Sequence, residues 1–327
     1  MIDLFSYGVF FLATALIFSV IALGLNLQWG LTGLFNAGVA GFVAIGAYTS
    51  AILTTPEITG RLGGFDLPIT VGWLGAALAT AAASAFTGFV TLRLKSDYLA
   101  ITTFGVAVVV QLISLNAQSI TGGPLGVSFI PRPFAALAEK PLTFNLLNLM
   151  VIVVVAATVF IVLEYLSRSP WGRVLKALRE DERAAVSLGK NTRSYRIQAF
   201  AVGGAIMGLA GAMQAHFIGF IAPENYLAPL TFQIWVMLVV GGSGNNWGAI
   251  VGSILIWAIW AGSGALISLA VPTDQQARAA SLQIVLIGVM LCAVLLVRPN
   301  GLLGERPVRR LTLFAKKRHS AAQNEPA

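Results

Sequence analysis

The sequence predicts an all-α fold: a polytopic transmembrane helical bundle of about nine spans, N-terminus outside and C-terminus inside, with broken Gly-rich helices and one cytoplasmic helix. Three observations carry this. The 327 residues are 57% hydrophobic and only 10% charged, where a soluble domain carries about 25% charged residues. The mean hydropathy is +0.82. Several apolar runs exceed the roughly 18 residues that mark a membrane-spanning helix, among them "YGVFFLATALIFSVIALGLNL" from Tyr7 and "LLNLMVIVVVAATVFIVLEYL" from Leu146.

The expected spans fall near residues 7–27, 33–54, 68–92, 98–117, 145–166, 197–219, 230–242, 247–269 and 281–297. The first run follows "MIDLFSYG", which lacks the basic region of a cleaved signal peptide, so it is expected to be retained. The seventh is short for a full crossing and reads as a half-helix or a steeply packed segment. Basic residues sort the connections. Arg93 and Lys95, the segment from Arg168 to Arg196, and the residues from Arg298 onward hold 17 of the 21 Lys and Arg. Placing these three segments in the cytoplasm satisfies the positive-inside rule and alternates without contradiction. The outer loops are then 55–67, the Pro- and Gly-rich 118–144, and 270–280. Residues 1–304 form one membrane domain, and 305–327 a basic cytoplasmic tail held near anionic lipid.

Composition also excludes chemistries. The net charge of +8 sits at the ends of apolar runs, with none of the basic–aromatic interleaving of a nucleic-acid surface, so lipid rather than nucleic acid is the expected neighbour. A single cysteine, Cys292, permits no disulfide framework within the chain. His216 and His319 are far apart, and His216 near a helix end reads as a polar anchor rather than a ligand. There is no phosphate loop, no metal-ligand spacing and no catalytic triad, so neither an enzyme activity nor a cofactor is expected. No Asp or Glu lies mid-span, Glu164 falling near the inner end of its helix. An ion-coupled carrier usually needs such a group, so the driving energy is expected to come from elsewhere.

Glycine and amide side chains interrupt two stretches, residues 24–48 and 239–255. Tight helix packing is one reading of them, since small residues let backbones approach. The other is a translocation pathway, because broken helices at membrane depth survive only against protein or water. The pathway candidates are Asn26, Asn36, Gly38, Gly41, Gly244, Asn245 and Asn246, with Gln28, Gln111 and Asn116 as further polar positions.

From Arg168 to Arg196 the chain gathers eleven of its 34 charged residues. Ser169 and Pro170 form a helix start, an N-cap followed by Pro in the first turn. Trp171, Val174, Leu175, Leu178, Ala185 and Leu188 recur at helical spacing, and Gly189 is a stop. One amphipathic helix of about 15 to 18 residues is predicted, too short and too charged to span. The acidic cluster Glu180, Asp181, Glu182 disfavours a purely lipid surface and favours docking of a cytoplasmic partner.

"GRVLKALREDERAAVSLGKN", followed by "YRIQAFAVGGAIMGLAGAM", resembles the cytoplasmic coupling region of permeases in ABC importers for branched-chain amino acids. "GLNLQWGLTGLFNAGVAGFVAIGAYTSA", "RLKSDYLAITTFG", "SITGGPLGVSFIPRP", "VVGGSGNNWGAIVGS" and "LIGVMLCAVLLVRPNGLLG" are similar to the LivM-like branch, in the family's order and over most of residues 20–305. Residues 33–42, "GLFNAGVAGF", depart from the "GQLSLGHAAF"-like run of many members and lack its His and Ser. The resemblance implies one permease half of a heterodimer with a LivH-like second subunit, two cytoplasmic ABC ATPases that hydrolyse the ATP, and a periplasmic binding protein that delivers a small-molecule substrate. It places Arg173, Leu178, Glu180, Glu182, Ala184, Ala185 and Gly189 at the ATPase contact. An importer for urea, short amides or aromatic acids on the same fold is the alternative, and a membrane scaffold that transports nothing is a third reading.

Overall fold

The computed structural model describes residues 2–57, 63–91, 96–137, 139–270 and 301–304, with scattered positions between 272 and 297. The helices are α1 (Ile2–Leu25), α2 (Val39–Thr54), α3 (Ile69–Thr91), α4 (Ser96–Asn116), the short α5 (Gln118–Thr121), α6 (Pro141–Arg168), α7 (Pro170–Glu180), α8 (Glu182–Ser187), α9 (Thr192–Ile218), α10 (Ala228–Gly241) and α11 (Asn246–Ala270). Among the described residues six helices are long and apolar enough to cross a membrane, and α2 and α10 are shorter apolar helices. Eight of the nine expected spans coincide with a helix. The ninth, 281–297, and the tail 305–327 lie largely or wholly outside the described residues.

Two spans differ from expectation in shape. The first passes from α1 into a π-helical turn, Asn26–Leu31. The second is helical only over the 16 residues of α2. Gly33 takes a left-handed turn at φ 74°, and the Asn36 side-chain Oδ1 accepts from the Gly38 N–H at 2.7 Å. That local side-chain bond offers the backbone an alternative to the helix ladder, so residues 33–38 stay non-helical.

The core is built around α9, which packs against α1, α2 and α3. Its contacts are made by small residues. A Cβ on Gly208 would overlap Thr80 of α3, and one on Gly46 of α2 would overlap the Gly208 backbone. Membrane helices lack a hydrophobic drive toward one another, and close backbone approach supplies dispersion contact instead. On α10 and α11 the same device brings Gly241 against Gly248 and Gly252.

Contacts sort the helix ends. At one end meet the C-termini of α1, α6 and α10 and the N-termini of α9 and α11. Arg193 donates to Phe89 O there, and the N–H groups of Leu302 and Leu303 donate to Val240 O and Gly241 O at 2.8 and 2.9 Å. At the other end His216 is fully buried between the Ser50 hydroxyl at 2.8 Å and Pro131 O at 2.6 Å. Arg132 donates to Phe217 O and Ile218 O, both at 2.9 Å. An isolated antiparallel bridge joins Val127 to Ile221 beside it.

Candidate translocation and docking sites

The charged segment folds as two helices rather than the single one expected. The start is as read: the Ser169 hydroxyl accepts from Gly172 N, with Pro170 in the first turn of α7. The chain then breaks at Asp181, whose backbone is extended at φ −153° and ψ 103°. Its carboxylate accepts from Arg183 N at 2.9 Å and Ala184 N at 3.1 Å, capping α8. A carboxylate at an N-cap satisfies donors that a helix interior would not offer it. Gly189, at φ 73°, closes α8, and Asn191 caps α9 by accepting from Ser194 N at 3.2 Å.

The seven expected docking residues separate by side. Leu178 and Ala185 are buried with Leu175 against the bundle and seat the two helices. Arg173, Glu180, Ala184 and Gly189 are exposed. Glu182 pairs with Arg196 of α9 at 2.9 Å, and the Trp171 indole donates to Gln198 at 2.9 Å. The Arg179 guanidinium donates to Gly30 O in the π-turn, fastening α7 to the end of the first span. Leu188 is 78% exposed and Val186 54% exposed. The apolar periodicity had put Leu188 on the same stripe as Leu175. The break at Asp181 reorients α8 and turns it outward. Val186 carries no periodic signal, and only its position beside Leu188 in a charged segment marks it.

Of the pathway candidates, three come directly together. The Asn26 amide donates to Asn246 Oδ1 at 2.9 Å and accepts from Gly244 N at 2.8 Å. Asn246 in turn donates to Glu164 Oε2 at 3.0 Å, and Glu164 Oε1 pairs with Arg168 at 2.5 Å. A second network holds Asn36, which donates to Gln28 at 2.7 Å while Gln28 donates to Phe200 O at 2.9 Å. Gly38 belongs to it through its N–H to Asn36. Gly41 stands apart, its Cα face closed by Ala107 of α4. Asn245 also stands apart, capping Trp247 N at 3.0 Å and donating to Leu303 O at 3.2 Å. Asn26, Gln28 and Asn36 have no exposed surface in the chain. Each buried amide thus meets partners inside the protein, as polar groups in an apolar medium must.

One feature escaped the sequence. Phe35 and Trp235 stack with centroids 4.3 Å apart, and Trp29 packs edge-on to both at 5.3 Å. The Trp235 indole donates to Asn36 O at 2.9 Å, tying this aromatic cluster to the amide network. Trp235 is about 200 positions from Trp29 and Phe35, and nothing in the spacing marks it as their neighbour. Among the described residues no group of three His, Cys, Asp or Glu is placed to hold a metal.

The family described as "Branched-chain amino acid transport system / permease component" matches residues 8–295. The "High-affinity branched-chain amino acid transport system permease protein LivM" of Escherichia coli (strain K12) is 33% identical, over 95% of this chain and 72% of its own length. The protein of the same name from Salmonella typhimurium is 34% identical, over 74% of this chain and 60% of its own length. The "Probable branched-chain amino acid transport permease protein LivM" of Methanocaldococcus jannaschii is 26% identical over 89% of this chain and 92% of its own. No solved structure matches. The matched region runs from α1 past α11 and includes α7, α8 and both amide networks; this multi-pass membrane protein belongs to the family of permease components of branched-chain amino acid transport systems.

Proposed function

We propose that the chain is one permease half of an ATP-driven ABC importer for branched-chain amino acids in the bacterial inner membrane. A LivH-like subunit completes the permease, two cytoplasmic ATPases supply the energy, and a periplasmic binding protein delivers the substrate. The N-terminus lies outside and the C-terminus inside. The observation that carries the reading is the α7–α8 unit. It is anchored to the bundle by Leu175, Leu178, Ala185 and the bond from Arg179 to Gly30, while Glu180, Val186 and Leu188 stand open. Exposed apolar side chains beside fixed charges suit a protein groove. Arg173, Glu180, Ala184 and Gly189 form the contact with Val186 and Leu188, and Glu182 holds α8 to α9 through Arg196.

The test compares the wild-type importer with Glu180→Lys/Leu188→Asp. Losing a desolvated contact of this kind costs about 2 kcal/mol or more, which is roughly 30-fold in affinity. Membrane levels stay normal, while uptake and binding-protein-stimulated ATPase activity fall by that order. Undiminished uptake in this variant rejects the docking assignment.

Substrate selection belongs to the binding protein. Asn26, Asn36 and Asn246 are committed to partners inside the chain. Neutral dipoles and half-helix ends attract a zwitterion weakly. The expected affinity of the purified permease pair for leucine is roughly millimolar, about −4 kcal/mol. Micromolar saturable binding of radiolabelled leucine in the absence of the binding protein contradicts this.

A further inference from the structure

Two cavities of unlike chemistry meet at Trp247. One, of about 290 Å³, lies at the helix end that gathers the basic residues and is lined by Glu164, Arg168, Lys176 and Asn246. The other, of about 430 Å³, runs between α1, α6 and α11 past Leu16, Leu23, Val153, Phe160 and Ile250. Ser19, also in its lining, donates its hydroxyl to Ala15 O at 2.8 Å. Trp247 lines both cavities, is half exposed, and packs on Phe160 at 4.7 Å. One turn beyond Phe160 on α6 comes Glu164, and one turn beyond that Arg168, so apolar groove and charged pocket follow one face of one helix.

Dimensions and charge identify the occupant. From Leu12 to Leu23 the groove follows α1 for about 16 Å at the helical rise. That is about half the 30 Å hydrocarbon core, the depth of one leaflet. At its mouth two cations, Arg168 and Lys176, face one carboxylate, Glu164, which leaves a net positive pocket. The Arg168 side chain is 69% exposed. A half-exposed tryptophan at the junction matches the amphipathic anchoring that aromatic residues give at a membrane interface. A comparable groove of about 300 Å³ between α3, α6 and α9, past Ala77, Val162 and Ala205, has no charged residue in its lining. We propose that the α1–α6–α11 groove and its charged mouth hold one anionic glycerophospholipid, the phosphate against Arg168 and Lys176 and an acyl chain along Leu16, Val153 and Phe160. Basic pockets between spans at the cytoplasmic face have the chemistry for such headgroups. The proposal stands independently of what the importer transports.

The experiment purifies the full chain with its second permease subunit in mild detergent, from cells whose membranes contain phosphatidylglycerol and phosphatidylethanolamine. Native mass spectrometry then reads retained lipid. One phosphatidylglycerol per chain is expected. Arg168→Gln/Lys176→Gln lowers its occupancy by about five-fold or more. Ala157→Phe, which fills the groove, lowers retention of lipid with either headgroup, whereas Ala77→Phe in the second groove leaves retention unchanged. Equal retention of both headgroups, or unchanged occupancy in the charge variant, overturns the proposal. A photoreactive amino acid in place of Val153 gives a readout free of any folding defect in those variants. A lipid adduct supports the site, and a cross-link to the second permease subunit assigns the groove to that protein and overturns it.

Discussion

Both ends of the Asn26 amide are occupied, by Asn246 and by the Gly244 N–H. Replacing it with Leu keeps the approximate size and leaves Gly244 N and Asn246 Oδ1 without that partner. An unsatisfied buried group costs about 1–3 kcal/mol, so Asn26→Leu is expected to lower the thermal midpoint of the detergent-solubilised protein clearly. Asn245 is only partly buried and bonds Trp247 N and Leu303 O, so water can replace its partners and Asn245→Ala is expected to change it much less. Equal midpoints for the two variants count against a structural role for the Asn26 network. The sequence marks these residues as polar intruders in apolar runs. It does not pair them, because Asn26 and Asn246 are 220 positions apart and amide side chains carry no periodic signal.

At the element scale, the start and stop of the charged segment are legible because Ser169, Pro170 and Gly189 have strong local preferences. The break is not. Asp181 sits in the run "REDER", where it reads as one more surface charge, and only its two backbone donors distinguish it as a cap. Removing the carboxylate in Asp181→Ala costs about 1 kcal/mol of capping and lets α7 continue toward α8. Leu188 then turns away from the open face. The expected result is normal protein level with reduced stimulation of ATPase activity, and Asp181→Asn, which can still cap, restores most of it. Failure of Asn to outperform Ala shows that charge rather than helix geometry matters there. The shortened α2 was illegible for a similar reason: the Asn36 bond to Gly38 N is local chemistry inside a stretch whose hydropathy reads as continuous.

At the scale of the whole molecule, the expected topology puts the connection between α5 and α6 outside and the one between α8 and α9 inside, and labelling tests it directly. Leu125 is 83% exposed in the connection between α5 and α6, and Lys190 is exposed between α8 and α9. Leu125→Cys is expected to react with an impermeant thiol reagent on intact cells, and Lys190→Cys only after permeabilisation. Thr121 would be a poor reporter, since it is buried with its hydroxyl on Ser114 O at 2.7 Å. Native Cys292 is exposed on the isolated chain, not packed within it. Its apolar run is expected to lie in the bilayer, so it is expected to label only once detergent replaces the lipid. Reaction at Lys190→Cys from outside inverts the whole map. The spans and their order were legible because hydropathy is summed over many residues. The centrality of α9 was not, because its contacts are made by the side chains it lacks. That absence has a mutational signature. Where a glycine meets bare backbone, as Gly46 of α2 meets Gly208 and Gly211 of α9 meets Val43 O, no rotamer can move aside and no second-site change can return volume. In a saturation scan scored by uptake, Gly46 and Gly211 are therefore expected to be cold positions without suppressors, while the exposed Leu78 and Ile161 accept almost any apolar residue.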